Sequence, residues 1–191
     1  MKKLIFLTLF IFVCTSNLFA LEDDRLYMYV NLDTCLSAGS TETYDNKGNE
    51  RGMVSIGFLG NIAYGLQLNR MRYELSYQER AEVSELLQTM LGLVSTLTIR
   101  ALMANVYYDY LRSEHFAMYV GCGAGAAYYE LTMKTWTDYY EDWGYSCILG
   151  TYTGLTFIMK DVSIDLGINY YYINKPETNT FAPKISVRYA F

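Results

Sequence analysis

KISVRYAF, at residues 184–191, is a stretch with two unlike faces. Apolar or aromatic side chains occupy one set of alternate positions, namely Ile185, Val187, Tyr189 and Phe191. Polar or small ones occupy the other set, namely Lys184, Ser186, Arg188 and Ala190. This period of two predicts a β-strand, because successive side chains of a strand point to opposite faces. An apolar face that ends on an aromatic residue is typical of a transmembrane β-barrel, whose aromatic side chains form girdles at the membrane interfaces.

Seven earlier segments alternate in the same way, which predicts an all-β fold: an eight-stranded antiparallel up-and-down transmembrane β-barrel. Their apolar faces consist of Leu26, Met28, Val30, Leu32 and Leu36; Val54, Ile56, Phe58, Ile62 and Tyr64; Tyr73, Leu75 and Tyr77; Leu102, Ala104, Val106 and Tyr108; Val120, Cys122, Ala124, Ala126 and Tyr128; Leu149, Leu155 and Phe157; and Val162, Ile164, Leu166, Ile168, Tyr170 and Tyr172. The chain has 20 Tyr and only 2 Pro, a balance that favours long strands.

The connections alternate in length. Residues 66–70, 111–115 and 158–161 read as short turns, and residues 38–52, 79–96, 131–146 and 173–180 as long loops. Short turns at one end and long loops at the other are typical of outer-membrane barrels. In the second long loop the apolar residues have helical spacing, which predicts a short amphipathic helix; they are Val83, Leu86, Leu87, Met90, Leu91 and Val94. The alternative is an extension of strands 3 and 4.

The amino terminus reads as a secretory signal peptide over residues 1–20, which leaves residues 21–191 as one barrel domain. Lys2 and Lys3 precede an apolar run at 4–13, and Ala20 offers a small residue for cleavage. Its removal takes the formal net charge from −5 to −7, and no basic stripe follows, so a nucleic-acid partner is not expected.

Three cysteines, Cys35, Cys122 and Cys147, follow the signal peptide. An odd number in an exported chain leaves at least one outside any pairing within the chain, and we interpret them mostly as small apolar fillers. A Cys122–Cys147 bridge is the alternative, and it is disfavoured because the two lie at different heights in the predicted register.

The positions of the charged residues test which face of each predicted strand is turned outward. Only Arg100 and Glu130 share the outward parity, and their distance from the short turns places both at the outer rim, where exposure to lipid costs little. The remaining strand charges face inward: Asp33, Arg72, Glu74, Asp109, Asp165, Lys184 and Arg188. A soluble lipocalin-like barrel is a further alternative. It is disfavoured, because such a barrel has its apolar face inside and its charges outside.

The inward charges predict a structural network in the lumen, because an eight-stranded barrel is just wide enough to be filled by its own side chains. We expect salt bridges between Arg72 and Asp109 and between Asp165 and Arg188. Glu74 is expected to join through Arg72, Lys184 or water. An ion pathway is the alternative. The residues Gly121, Gly123 and Gly125 leave space that Tyr107, Tyr119 and Tyr152 fill, or else a small cavity.

Three segments carry a resemblance. ALMANVYYDYL at 101–111, YVGCGAGAAYYE at 119–130 and DVSIDLGINYYYI at 161–173 resemble small outer-membrane β-barrels of the opacity-protein and rickettsial surface-antigen type, related in architecture to the OmpA barrel. The last strand resembles the terminal assembly signal of such proteins, carried here by Tyr189 and Phe191. The resemblance implies location in the bacterial outer membrane, with lipid and the barrel-assembly machinery as partners, and loops that contact a host or environmental ligand. OmpA carries a peptidoglycan-binding domain after its barrel, and we do not expect that activity here.

No catalytic, cofactor or metal site is expected. Outer-membrane barrels that modify lipid A use a His near the outer leaflet. The single His of this chain, His115, lies in a short turn at the opposite end. No G-x-S-x-G segment and no metal-ligand spacing occurs. An enzyme is therefore an unfavoured alternative.

The third long loop is rich in aromatic and acidic residues, and it is the candidate contact surface. Its candidate contact residues are Trp136, Tyr139, Tyr140 and Trp143. Aromatic side chains on an exposed loop suit partner binding, but they also suit an interfacial belt that anchors the rim. The sequence thus predicts a non-enzymatic outer-membrane surface protein, structural and adhesive through its loops. A narrow porin or small-ligand barrel is the second reading.

Overall fold

The computed structural model describes residues 26–44, 50–84, 94–134 and 139–191. These residues form eight strands: β1 (Leu26–Tyr44), β2 (Glu50–Leu68), β3 (Met71–Ser84), β4 (Val94–Arg112), β5 (Phe116–Lys134), β6 (Tyr139–Met159), β7 (Val162–Ile173) and β8 (Glu177–Ala190). Each strand pairs antiparallel with its neighbours in sequence, and β8 pairs with β1, so the sheet is a closed barrel. The predicted fold is confirmed.

The short turns lie at 69–70, 113–115 and 160–161, and we call this the lower end of the barrel. The other end, to which the β1–β2, β3–β4 and β5–β6 hairpins extend, is the upper end. The predicted signal peptide lies outside the described residues. Within the described ranges there is no helix long and apolar enough to cross a membrane.

The predicted long loops are wrong in extent, because most of their residues belong to strands. β3 continues to Ser84 and β4 begins at Val94, while β5 continues to Lys134 and β6 begins at Tyr139. Of the predicted helix, Val83 and Val94 are strand residues, and residues 85–93 lie outside the described part. At both ends of the predicted helix the structure therefore has the alternative, an extension of the two strands.

In the lower part of the barrel the predicted faces hold. The apolar residues of the closing strand point outward, with Ile185, Val187 and Tyr189 all about half exposed. Arg188 and Lys184 point inward and are buried. Phe191 packs its ring 6.5 Å from the ring of Tyr64 on β2, which joins the last residue to an aromatic group at the lower end.

The polarity of both faces inverts along β4. Below Arg100 its outward residues are apolar, and from Arg100 upward they are polar: first Leu102, Ala104, Val106, Tyr108 and Tyr110, then Arg100, Thr98 and Thr96. Its inward residues show the opposite change in polarity. Asp109 and Asn105 near the lower end are polar, and Ile99 and Leu97 toward the upper end are apolar. From Leu102 down to Tyr110 the strand spans about 20 Å of height, close to the ~25 Å apolar band of a membrane barrel.

Candidate functional site

The lower lumen holds a charged cluster centred on Asp165 of β7. Its carboxylate lies 3.3 Å from Arg188 Nη2 and 3.6 Å from Arg72 Nη1, and it accepts hydrogen bonds from Thr156 and Ser186. The other amino group of Arg72 lies 3.0 Å from Asp109 Oδ1. Arg72 thereby joins the two ion pairs that the sequence treats as separate. All of these groups are nearly inaccessible, so each charge is offset locally.

The remaining inward charges of the lower lumen pair in ways that the sequence did not predict. Lys184 Nζ lies 3.2 Å from Asp33 Oδ2. Glu74 Oε1 accepts a 2.9 Å hydrogen bond from the Tyr29 hydroxyl, in place of a direct bond to Arg72 or Lys184. Tyr29 reaches Glu74 because Gly65 stands between them on the same rung, and a Cβ there would clash with the Tyr29 ring.

Aromatic rings close the space beside the cluster. The Arg72 guanidinium lies 4.5 Å from the ring centroid of Tyr119 and 5.0 Å from that of Tyr107, a cation–π arrangement on two sides. A Cβ at Gly121 would lie 2.5 Å from Tyr107 Cδ1, so the glycine makes room for that ring. The ring centroid of Tyr152 lies 5.1 Å from that of Tyr107. These rings occupy the space that the strand-5 glycines leave.

The upper lumen holds a cluster of buried apolar residues beside buried polar ones such as Ser55, Gln78 and Thr178, and the sequence analysis missed this cluster. Its buried residues include Leu59, Leu97, Ile99, Ala101, Leu131, Ile148, Ile173 and Ala182. One ion pair lies among them, with Arg80 Nε 3.2 Å from Glu82 Oε1. Ser55 and Thr180 donate hydrogen bonds to the Glu82 carboxylate. The signal in the sequence was the alternation of Leu97, Ile99 and Ala101, which lie between the predicted loop at 79–96 and the predicted strand face that begins at Leu102, and which were not read as an inward face.

The upper parts of β5 and β6 form an aromatic and acidic surface on the outside of the barrel. We call it the outer hairpin face; its residues are Tyr128, Glu130, Thr132 and Lys134 of β5 and Tyr139, Glu141, Trp143 and Tyr145 of β6. Tyr139 and Trp143 are each 64% exposed and Tyr145 is 80% exposed. The rings of Tyr128 and Tyr145 lie 5.3 Å apart across the two strands.

The outer hairpin face adjoins an exposed ion cluster that spans three strands. Arg100 Nε lies 3.2 Å from Glu79 Oε1, and Arg100 Nη1 lies 3.7 Å from Glu130 Oε1. Glu79 is an outward charge that the sequence analysis did not count, because residues 79–96 were read as a loop. One guanidinium between two carboxylates leaves this part of the surface with a net negative charge.

The predicted contact residues do not all lie together. Tyr139 and Trp143 belong to the outer hairpin face, whereas Tyr140 points to the inner side and is half-buried. Burial and the nearby Asp142 carboxylate raise the pKa of the Tyr140 phenol above its usual value. Trp136 lies outside the described residues. Tyr189 and Phe191 lie at the lower end, where their rings stack with centroids 6.5 Å apart.

His115 is exposed in the turn at 113–115, at the lower end. Among the described residues no group of three or more His, Cys, Asp or Glu side chains is placed to hold a metal ion. Cys122 pairs across the ladder with Thr151, and Cys147 with Ala126, so the two cysteines stand at different heights.

Comparisons with known proteins agree with this geometry. The family model of the outer membrane protein beta-barrel domain matches residues 5–191. Neisserial surface protein A is similar in structure, with a TM-score of 0.59 and 18% identity over 86% of this chain and 97% of that one. So is Ail, the attachment invasion locus protein of Yersinia pestis, in complex with the heparin analogue sucrose octasulfate: TM-score 0.51, 15% identity, 86% of this chain and 99% of that one. No curated protein matches the sequence.

Proposed function

Because the chain belongs to the family of outer membrane protein β-barrel domains, we propose that it is a non-enzymatic surface protein that binds an extracellular partner through the outer hairpin face. The protein is located in the bacterial outer membrane. The family supplies the location and the architecture, and the contact role is our proposal. Residues 1–20 act as its signal peptide in this proposal, and Tyr189 and Phe191 serve as its assembly signal for the barrel-assembly machinery.

The observation that carries the proposal is the height of the exposed aromatic residues. Arg100 pairs across the ladder with Tyr128, and Glu130 and Trp143 share a rung two residues higher. Tyr139 stands four residues above Trp143, or about 10 Å further from the apolar band. Trp143 and Tyr139 therefore stand above the charged rim, beyond the level at which an aromatic belt anchors a barrel. Large exposed aromatic side chains in that position suit contact with a partner.

Two observations support a role without catalysis or conduction. The single His of the chain lies at the lower end, opposite the surface-exposed hairpins. Within the described strands, apolar side chains such as Leu59, Ile148 and Ile173 are fully buried in the upper lumen. A lumen that is filled by its own side chains resists the passage of ions. We expect no steady conductance when the purified barrel is inserted in planar bilayers, and stable open channels there would favour the porin reading.

Adhesion of cells that display the barrel tests the contact role. Replacing Trp136 and Trp143 with Ala is expected to reduce adhesion to host cells or matrix several-fold, because interface aromatic anchors carry much of the binding free energy. Tyr110→Ala, an exposed aromatic change at the lower end, is the matched control and should leave adhesion unchanged. Heat-modifiable gel mobility of membrane fractions checks that each variant is folded. Unchanged adhesion of the folded double variant would reject this surface as the contact site.

A further inference from the structure

The β5–β6 hairpin has a composition that restricts the chemistry of its partner. Between residues 128 and 145 the sequence has seven aromatic residues, four acidic ones and one basic one. The acidic residues are Glu130, Asp138, Glu141 and Asp142, and the basic one is Lys134. The hairpin is therefore negative as well as aromatic. A surface of this kind repels polyanions and attracts cations.

Each strand of the outer hairpin face carries one carboxylate beside aromatic rings: Glu130 next to Tyr128 on β5, and Glu141 between Tyr139 and Trp143 on β6. Successive rungs pair Tyr128 with Tyr145, Glu130 with Trp143, Thr132 with Glu141 and Lys134 with Tyr139. Glu141 accepts a 3.4 Å hydrogen bond from the neighbouring Tyr139 hydroxyl, and within the described residues it has no ion-pair partner. Glu130 shares Arg100 with Glu79, so two carboxylates divide one cation. Both carboxylates of the face thus have capacity for a further positive group.

Aromatic faces and carboxylates are the two groups that bind guanidinium and ammonium side chains. A cation over the face of Trp or Tyr is attracted by the ring quadrupole, and a carboxylate adds a charge-assisted hydrogen bond. Residues two apart on one face of a strand are about 6.8 Å apart, which is also the spacing of same-side residues in an extended peptide. A row of sites at this spacing matches a polypeptide better than a single small cation.

We propose that the outer hairpin face binds a basic segment of a polypeptide, rich in Arg or Lys and extended along the hairpin. This inference rests on the proposed contact role and specifies the partner of the same surface. Ail was solved with a sulfated heparin analogue. The outer hairpin face of the present barrel is acidic and therefore suits a positively charged ligand instead. Arg side chains of the partner lie over Trp143 and Tyr145 and pair with Glu130 and Glu141.

Binding of a labelled oligo-arginine peptide to the full-length barrel in uncharged detergent micelles tests the inference. Fluorescence anisotropy is expected to show saturable binding that weakens as salt is added. The double variant Glu130→Gln/Glu141→Gln is expected to lower the affinity about tenfold, the loss for two partly exposed ion pairs. The matched control Glu114→Gln/Asp161→Asn removes the same charge from the lower turns and should bind as the wild type does.

The outcomes separate the two proposals. If both double variants bind the peptide equally well, the attraction comes from net charge alone and the inference is overturned. Tighter binding of labelled heparin than of the peptide would also overturn it. Trp143→Ala should still weaken peptide binding in high salt, where screening removes most of the ionic contribution but leaves the ring contact. If the Trp variants lose cell adhesion but the wild type does not bind the peptide, the contact role is retained and the basic partner is rejected.

Discussion

The lower and upper parts of β4 alternate with the same period but in opposite senses. Below Arg100 the strand turns apolar side chains outward and Asn105 and Asp109 inward, and above it turns Thr98 outward and Leu97 and Ile99 inward. The lower part has lipid outside, so its polar groups gather in the lumen. The upper part has water outside, so it buries an apolar interior as soluble proteins do. Alternation therefore identifies a strand, and the outer medium decides which face is apolar.

The largest expected effect lies in the charged lower interior. Asp165→Ala leaves Arg72 and Arg188 buried beside each other without their shared carboxylate. We expect a loss of about 3–5 kcal/mol in the free energy of unfolding. Urea titration of the barrel in lipid vesicles, followed by Trp fluorescence, measures it.

Asp161→Ala is the control, because Asp161 is exposed in the turn four residues earlier. A loss for Asp165→Ala no greater than that of this control would mean that the lower interior tolerates unpaired charge, and the contrast between the two halves would be weaker.

The apolar cluster of the upper interior is expected to respond as a packed core. Ile148 is fully buried there, and Ile148→Ala should cost about 3 kcal/mol, because the lost side chain leaves a cavity. Its neighbour Leu149 points outward on the same strand. Leu149→Ala should cost less, since lipid chains can fill the vacated space. The same urea titration compares the two variants, and equal losses would contradict a core confined to the lumen.

The smallest expected effect is a difference between two positions on the outer face of β4. Val106→Arg places a charge near the middle of the apolar band, and Thr98→Arg places it above Arg100. The first should cost about 2–3 kcal/mol more than the second, because the cost of an outward charge falls from the midplane to the interface. Refolding into phospholipid vesicles measures both. Similar costs would put the membrane boundary at another height.

Much of the fold follows from the sequence. The outward faces of the lower parts, the number of strands and the inward direction of Arg72, Asp165 and Arg188 are all readable from alternation and charge. The upper strand ends were not readable, because a polar outward residue such as Thr98 beside an inward Ile99 looks like the end of a membrane strand. Extended residues there were therefore assigned to loops.

The partners of single side chains were harder to predict than the faces. Tyr29 bonds to Glu74 across the intervening strand because Gly65 lies between them on the same rung, and this needs the pairing register of three strands. Arg72 joins Asp109 and Asp165 across the lumen, a distance that depends on the closed diameter of the barrel. Local sequence patterns predict the direction of a side chain, whereas the closure of the barrel determines which partner it contacts.

The abrupt inversion at Arg100 also sets how the barrel responds to membrane thickness. The change from apolar to charged takes one outward step on β4, about 5 Å of height, and Glu79 marks the same level on β3. A thicker bilayer draws this ion pair into hydrocarbon unless the lipid thins around the barrel, and such hydrophobic mismatch costs fractions of a kcal/mol per Å. On this side of the barrel the ion pair therefore favours a thin membrane, and the bacterial outer membrane is thinner than average.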